Sequence, residues 1–205
     1  AVWGSAKTNV IAVGNAGTVL RFDGEDWERL DVQVAGGQNL TAIWGTGPGN
    51  VFVVSETGRI FNFDAARWTT QVERCALEPC GALAGIWGSG PRDLYAVGDH
   101  GNVLHSSGGG WSTLWPPSPD EPLRSLWVSP EGVAFALSGG HAVLRHGESG
   151  WTTLLDIRNA DELLSSVEID AASTIELLSL WGASSESLFV VGTNGLCLHY
   201  DGELW

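Results

Sequence analysis

The chain has 205 residues, a formal net charge of −14, 43% hydrophobic content and 28 glycines against no methionine and 10 Lys+Arg. That hydrophobic share supports a substantial core and excludes disorder, and the glycine excess over helix-favouring residues points to an all-β protein rich in tight turns. The acidity and the scattered arginines exclude nucleic acid as a partner, because phosphate binding needs a basic stripe.

In chain order, one pattern returns five times. A tryptophan is followed by another 24 residues on: Trp3 and Trp27, Trp44 and Trp68, Trp87 and Trp111, Trp127 and Trp151, Trp181 and Trp205. These pairs take up ten of the eleven tryptophans, and a period of about 40 residues marks a repeat array whose units bury their apolar faces on one another. Units start near 1, 40, 83, 123 and 177 and make residues 1–205 one array. Each opens with an apolar residue, the tryptophan and usually Gly, as in Ile43-Trp44-Gly45. A β-branched and aromatic run follows, such as Val51-Phe52-Val53-Val54, whose unbroken apolarity predicts a strand covered on both faces. Next come a glycine turn, a third strand, an Asp-Gly turn such as Asp23-Gly24, and a fourth strand after the second tryptophan. Four antiparallel strands per unit of this length predict a β-propeller blade, with the tryptophans filling the wedges between blades. Trp205 stands where a fourth strand should begin, so the ring either closes imperfectly or belongs to a longer array.

The run Ile86-Trp87-Gly88-Ser89-Gly90-Pro91, with Leu94-Tyr95-Ala96-Val97-Gly98, Gly101-Asn102-Val103-Leu104 and Trp111, resembles the blades of bacterial β-propellers related to photosystem II assembly factors and to Asp-box proteins such as sialidases. The resemblance spans all five units and implies the fold, while propellers host many activities. Arg21, Asn62, His105, Arg145 and His199 stand where the Asp-box has a hydroxyl, and Ser107 and Gly147 replace the Asp in units three and four. The Asp turn is therefore expected to be structural. A sialidase would need an arginine cluster beside a tyrosine and a glutamate; no such cluster accompanies Tyr95 or Tyr200.

Function is expected where repetition breaks. The tips between second and third strands should share one face with the connections between units. They vary in chemistry, making Asn15, Glu56, Asp99, His100 and Asn194 the candidate binding residues, with Trp115, outside the repeat, on the same side. The last connection, Thr152 to Leu180, is the longest, and Asn159 to Val167 within it is read as one or two helical turns capped by Asn159. Cys75 and Cys80 flank a short loop and are expected to close as a disulfide, which places the protein in an extracellular or periplasmic compartment. Cys197 aligns with Val19, Ile60, Val103 and Val143 and reads as a buried small hydrophobe. His105 and His199 read as residues of a solvated strand face. No metal spacing, cofactor motif, membrane span or catalytic constellation stands out. The expectation is a non-catalytic propeller module binding a protein or glycan through its variable face; the alternative is a lectin or sialidase-like hydrolase.

Overall fold

A strand apolar on both faces needs a covering layer on each side, and the array supplies it by stacking sheet on sheet. The computed structural model describes residues 1–32, 35–73, 81–114, 120–165 and 174–205. Blade 1 is built from β1 (Val2–Ala6), β2 (Asn9–Val13), β3 (Val19–Phe22) and β4 (Trp27–Leu30), and blade 2 from β5 (Leu40–Gly47), β6 (Asn50–Ser55), β7 (Ile60–Phe63) and β8 (Trp68–Val72). Blade 3 comprises β9 (Leu83–Gly90), β10 (Asp93–Gly98), β11 (Val103–Ser106) and β12 (Trp111–Leu114), and blade 4 β13 (Leu123–Val128), β14 (Ala134–Ser138), β15 (Ala142–Gly147) and β16 (Gly150–Asp156). Blade 5 has three strands, β17 (Leu177–Ser184), β18 (Ser187–Gly192) and β19 (Cys197–Tyr200). Every sheet is an antiparallel meander in sequence order, with the two tryptophan positions on the first and fourth strands of blades 1 to 4, while Trp205 lies past the third strand of blade 5. The first strands β1, β5, β9, β13 and β17 pack side by side in succession, so the arrangement is that of a propeller, an arc that does not close on itself.

Four apolar clusters lie between the five blades. Ile11, Val13 and Val19 of blade 1 meet Ile43, Val51, Val53 and Phe61 of blade 2. Phe52, Val54 and Ile60 meet Ile86, Leu94, Ala96 and Leu104. Tyr95, Val97 and Val103 meet Leu126, Ala134, Ala136 and Leu144. Phe135, Leu137 and Val143 meet Leu180, Leu188, Val190 and Leu198. Alternate residues of each second strand thus serve opposite neighbours, each buried side chain contributing roughly 1.5–3 kcal/mol. The first tryptophan of a unit points to the following blade and the second to the preceding one: Trp44 and Trp127 join the clusters ahead of them, Trp68, Trp111 and Trp205 those behind.

The glycine after the first tryptophan has a steric cause. A Cβ on Gly45 would lie 3.1 Å from the Trp3 ring, one on Gly88 3.2 Å from Trp44, and one on Gly182 2.8 Å from Trp127. The indole of each blade therefore seats over the bare backbone of the next, and unit four, with Val128, is the exception.

Blade 5 corrects one expectation. Cys197 is exposed, not buried, because no blade packs on that side of blade 5 among the described residues. In the long connection the helix is Asp161–Ser165, and Asn159 is the last residue of a preceding 3-10 turn, Ile157–Asn159, which Asp156 caps by accepting from the Arg158 amide. Cys75, Cys80 and Trp115 lie outside the described residues.

The Asp turns are side-chain staples. Asp23 Oδ1 accepts from the amides of Glu25 and Asp26, Asp64 Oδ1 from Ala66 and Arg67, and Asp201 Oδ1 from Glu203 and Leu204, all at 2.8–3.1 Å. These amides, chiefly of Asp26, Arg67 and Leu204, hold the three carboxyls below the usual 3.8. A carboxyl with a depressed folded pKa contributes stability above its unfolded value, and the contribution is lost as pH falls through the folded value. Thermal unfolding should therefore show the melting temperature falling below about pH 4. The triple variant Asp23→Asn, Asp64→Asn, Asp201→Asn keeps an acceptor oxygen at each turn and should flatten that acid limb; an unchanged limb refutes this role.

Candidate functional site

The tips between second and third strands share one face with the connections between blades, as their hydrogen bonds show. The Gly17 amide donates to Gln38 O at 2.7 Å and Leu40 N to Gly14 O at 3.1 Å. Asp99 N donates to Ala82 O, Gly139 N to Pro122 O and Thr193 N to Glu176 O, at 2.9–3.0 Å. In blades 1, 3 and 5 the tip residue Ala16, His100 or Asn194 adopts the left-handed conformation, φ 53–57°, and is exposed.

Among the candidates, Asn15 and Glu56 belong to adjoining tips joined by one residue. Asn39 accepts from the Ala16 amide through Oδ1 at 3.0 Å, and its own backbone and side-chain nitrogens donate to Glu56 Oε1 and Oε2 at 3.0 and 2.8 Å. Asp99 and His100 sit together on the blade 3 tip, where Asp99 Oδ2 also accepts from Ala82 N at 3.3 Å. Asn194 Nδ2 donates to Thr174 O at 3.4 Å on the blade 5 tip. No bond links Asn194 to the other candidates among the described residues, so its tip is braced apart from the joined tips of blades 1 and 2.

A further polar group gathers on this face beside the blade 4 tip, Gly139-Gly140, where no candidate was named from the sequence. Glu121 Oε2 accepts from Ser138 Oγ at 3.1 Å and lies 3.3 Å from His141 Nε2 at ion-pair distance, without hydrogen-bond alignment. Arg158 stands 3.9 Å from Glu121 Oε1 and clamps Asp156, Nη2 to Oδ2 at 2.7 Å, which holds the Asp156 carboxyl below its usual range. Glu121 and Arg158 come from connections of unequal length, so the repeat register gave no sign of them; the length of the last connection was the available signal.

The opposite face carries the turns between first and second strands and between third and fourth. There, a cleft of about 460 Å³ opens between blades 1 and 2, with Ile11, Phe63 and Trp68 as apolar wall and Arg21, Arg67, Asn9 and Asp31 around it. The equivalent cleft between blades 2 and 3, about 310 Å³, is lined by Phe52, Asn62, Asn50, Arg92 and Trp111. Between blades 3 and 4 the corresponding place is filled. Tyr95 stacks on His105 at 4.3 Å, His105 Nε2 pairs with Asp93 Oδ1 at 2.9 Å, and His146 lies 3.4 Å from the Tyr95 hydroxyl and against Trp151. Burial, reinforced by Asp93, pushes the Tyr95 phenol up to about 12, and burial, then the neighbouring His105, lowers the His146 pKa. His105 is thus a half-buried interface residue and not a solvated one, because blade 4 covers it; His199, its counterpart in blade 5, is exposed and stacks on Phe189.

Among the described residues no three His, Cys, Asp or Glu side chains gather as a metal site. No helix among them is long and apolar enough to cross a membrane.

No protein-family model matches the chain, and no curated protein sequence does. Solved structures do match in fold. YCF48 from Cyanidioschyzon merolae superposes with a TM-score of 0.67 at 11% identity, over 98% of this chain and 66% of that one. Virginiamycin B lyase from Staphylococcus aureus gives 0.60 at 10% identity, over 95% and 69%. The BT4673 extracellular domain from B. thetaiotaomicron gives 0.68 at 9%, over 94% and 26%. The chain therefore spans just under two thirds of the YCF48 chain and about a quarter of the BT4673 domain. At these identities the likeness establishes the propeller fold alone.

Proposed function

We propose that this chain is a non-catalytic propeller module that holds a protein partner on the face carrying the connections and the second-to-third-strand tips, in an extracellular or periplasmic setting. The observation that carries the reading is the contrast between a uniform brace and unlike tips. The same kind of backbone bond fixes every tip to a connection, while the side chains presented are Asn15, Glu56, Asp99 with His100, the Glu121–His141–Arg158 group, and Asn194. Rigid loops with differing polar side chains offer a preorganised, composite surface at little ordering cost on binding.

A photoreactive amino acid placed singly at Glu56, His100 or Asn194 should give one discrete protein adduct in an extract of the source cells. The same probe at Glu148, in the turn between third and fourth strands, should give none. Adducts from Glu148 alone, or from no position, overturn the proposal.

The glycan reading has one observation in its favour, the recurrence of a tryptophan-walled cleft at Trp68 and Trp111. Multivalent sugar recognition needs copies of one site, and the two linings differ, Arg21 against Asn62 and Phe63 against Ser106. A glycan array returning several hits of one sugar class, abolished by Trp68→Ala, would reverse the order of the two readings.

A further inference from the structure

The clefts between blades differ in what stands at one pair of positions, the start of the second strand and the third-strand residue 12 places on. In blades 2, 3 and 5 the two close on each other. Asn62 Nδ2 donates to Asn50 Oδ1 at 3.2 Å, His105 Nε2 meets Asp93 Oδ1 at 2.9 Å, and Ser187 Oγ meets His199 Nε2 at 3.3 Å. Blade 4 has Val133 and Arg145, in a recess that Glu131 and Glu148 also line. Blade 1 has Asn9 and Arg21, and there the closure fails. Asn9, 8% exposed, donates to Ser5 Oγ at 2.7 Å. Arg21 has no side-chain hydrogen bond or ion pair among the described residues, its cross-strand neighbour Glu28 included.

Arg21 lines the cleft of about 460 Å³ between blades 1 and 2. The apolar wall is Ile11, 2% exposed, with Phe63 and Trp68, whose ring centroids stand 5.3 Å apart with the planes tilted by 35°. A second arginine, Arg67, joins the lining from the turn that Asp64 staples through the amides of Ala66 and Arg67. Its Nε lies 4.0 Å from Asp64 Oδ2, and its terminal nitrogens make no bond among the described residues. Two of the chain's 10 Lys+Arg thus line one cleft of a protein with net charge −14, against a single carboxylate in that lining, Asp31. Apolar walls around a few hundred Å³, with a small number of charged groups to fix orientation, are the makings of a small-molecule site.

We propose that this cleft binds a small aromatic carboxylate, its ring against Phe63 and Trp68 and its carboxylate held by Arg21 and Arg67. The planar guanidinium fork matches two carboxylate oxygens and also tolerates an aromatic neighbour. Two guanidiniums against the Asp31 carboxylate leave one positive charge, which suits a monoanion better than a phosphate dianion. A neutral sugar would leave the guanidiniums unused, and an acidic sugar has no ring for the apolar wall. The cleft between blades 2 and 3 offers less: about 310 Å³, with Asn62 and Asn50 closed on each other and the stem of its arginine, Arg92, lying along Gly108. The site is on the face opposite the partner surface proposed above, so either can stand without the other.

Titration of hydrocinnamate into the 205-residue chain, followed by NMR through the indole N–H signals, tests the assignment. The Trp68 signal, identified from the spectrum of Trp68→Phe, should shift with a Kd at or below about 1 mM while that of Trp111 stays in place. Hydrocinnamide, which keeps the shape without the charge, and glucuronate, which keeps the charge without the ring, should each bind at least about tenfold more weakly. Arg21→Gln and Arg67→Gln should each weaken binding about five- to tenfold, with the remaining indole signals unmoved as a check on the fold. Arg29→Gln removes the same charge from the other face of blade 1, where Arg29 stands opposite Leu20, and should leave the Kd unchanged. A weaker Kd for hydrocinnamate, an amide or glucuronate that binds as well, unchanged binding in Arg21→Gln or Arg67→Gln, or an equal loss in Arg29→Gln would each overturn the proposal.

Discussion

Trp127→Ala should lower the stability of this chain by about 3–5 kcal/mol, whereas Trp181→Ala, the same change one blade on, should alter it by less than about 0.5 kcal/mol. Trp127 is 4% exposed, stacks on Phe135 at 5.8 Å between ring centroids, and rests against Gly182 of blade 5. Its removal leaves a cavity that the strand backbones on either side are too constrained to close. Trp181 follows the same Ser-Leu pair and holds the same strand position, but no blade packs beyond it among the described residues. Urea unfolding followed by circular dichroism distinguishes the two. Because the array is held by nearest-neighbour interfaces, the Trp127→Ala loss should show first as early melting of blade 5, before the remaining blades unfold. Equal losses for the two variants would mean that the face of blade 5 is covered after all.

Gly182→Ala should cost about 1–3 kcal/mol, although it adds one methyl group. The new Cβ would sit 2.6 Å from Leu188 Cδ2, 2.8 Å from Ser187 O and 2.8 Å from the Trp127 ring. Leu188 can rotate away, but the carbonyl and the indole are fixed by the sheet and by the cluster between blades 4 and 5. Gly147→Ala is the control, since a Cβ there meets nothing within 4 Å and the backbone is not in the left-handed region. Differential scanning calorimetry should place Gly182→Ala well below the parent and Gly147→Ala level with it; a thermally neutral Gly182→Ala would remove the steric account of the Trp-Gly pair.

The strand order and the pairing of tryptophans with blade interfaces were legible because each depends on residues inside one 40-residue unit. The Asp turns were legible for the same reason: Asp23, Asp64 and Asp201 find their partners within three residues. Burial was legible only where a unit has neighbours on both sides. Cys197 and Val143 occupy one repeat position, yet one is exposed and the other buried, since the decision lies with the next blade. On the loop face the tips could be named from the sequence, but their bracing could not. Asn39, Glu121 and Arg158 sit in connections that keep no common length, so no register aligns them with the residues they hold.

The alternation of second-strand residues between opposite neighbours carries a thermodynamic consequence. Blade 3 shares apolar clusters with blades on both flanks, while blades 1 and 5 share one each, and β19 at the rim of blade 5 has no strand beyond it. In the 205-residue chain taken by itself, local opening free energy should accordingly rise from blades 1 and 5 toward blade 3, so that the outer units open before the centre does. The same chain would thus be a graded material, stiff at its waist and yielding at its ends.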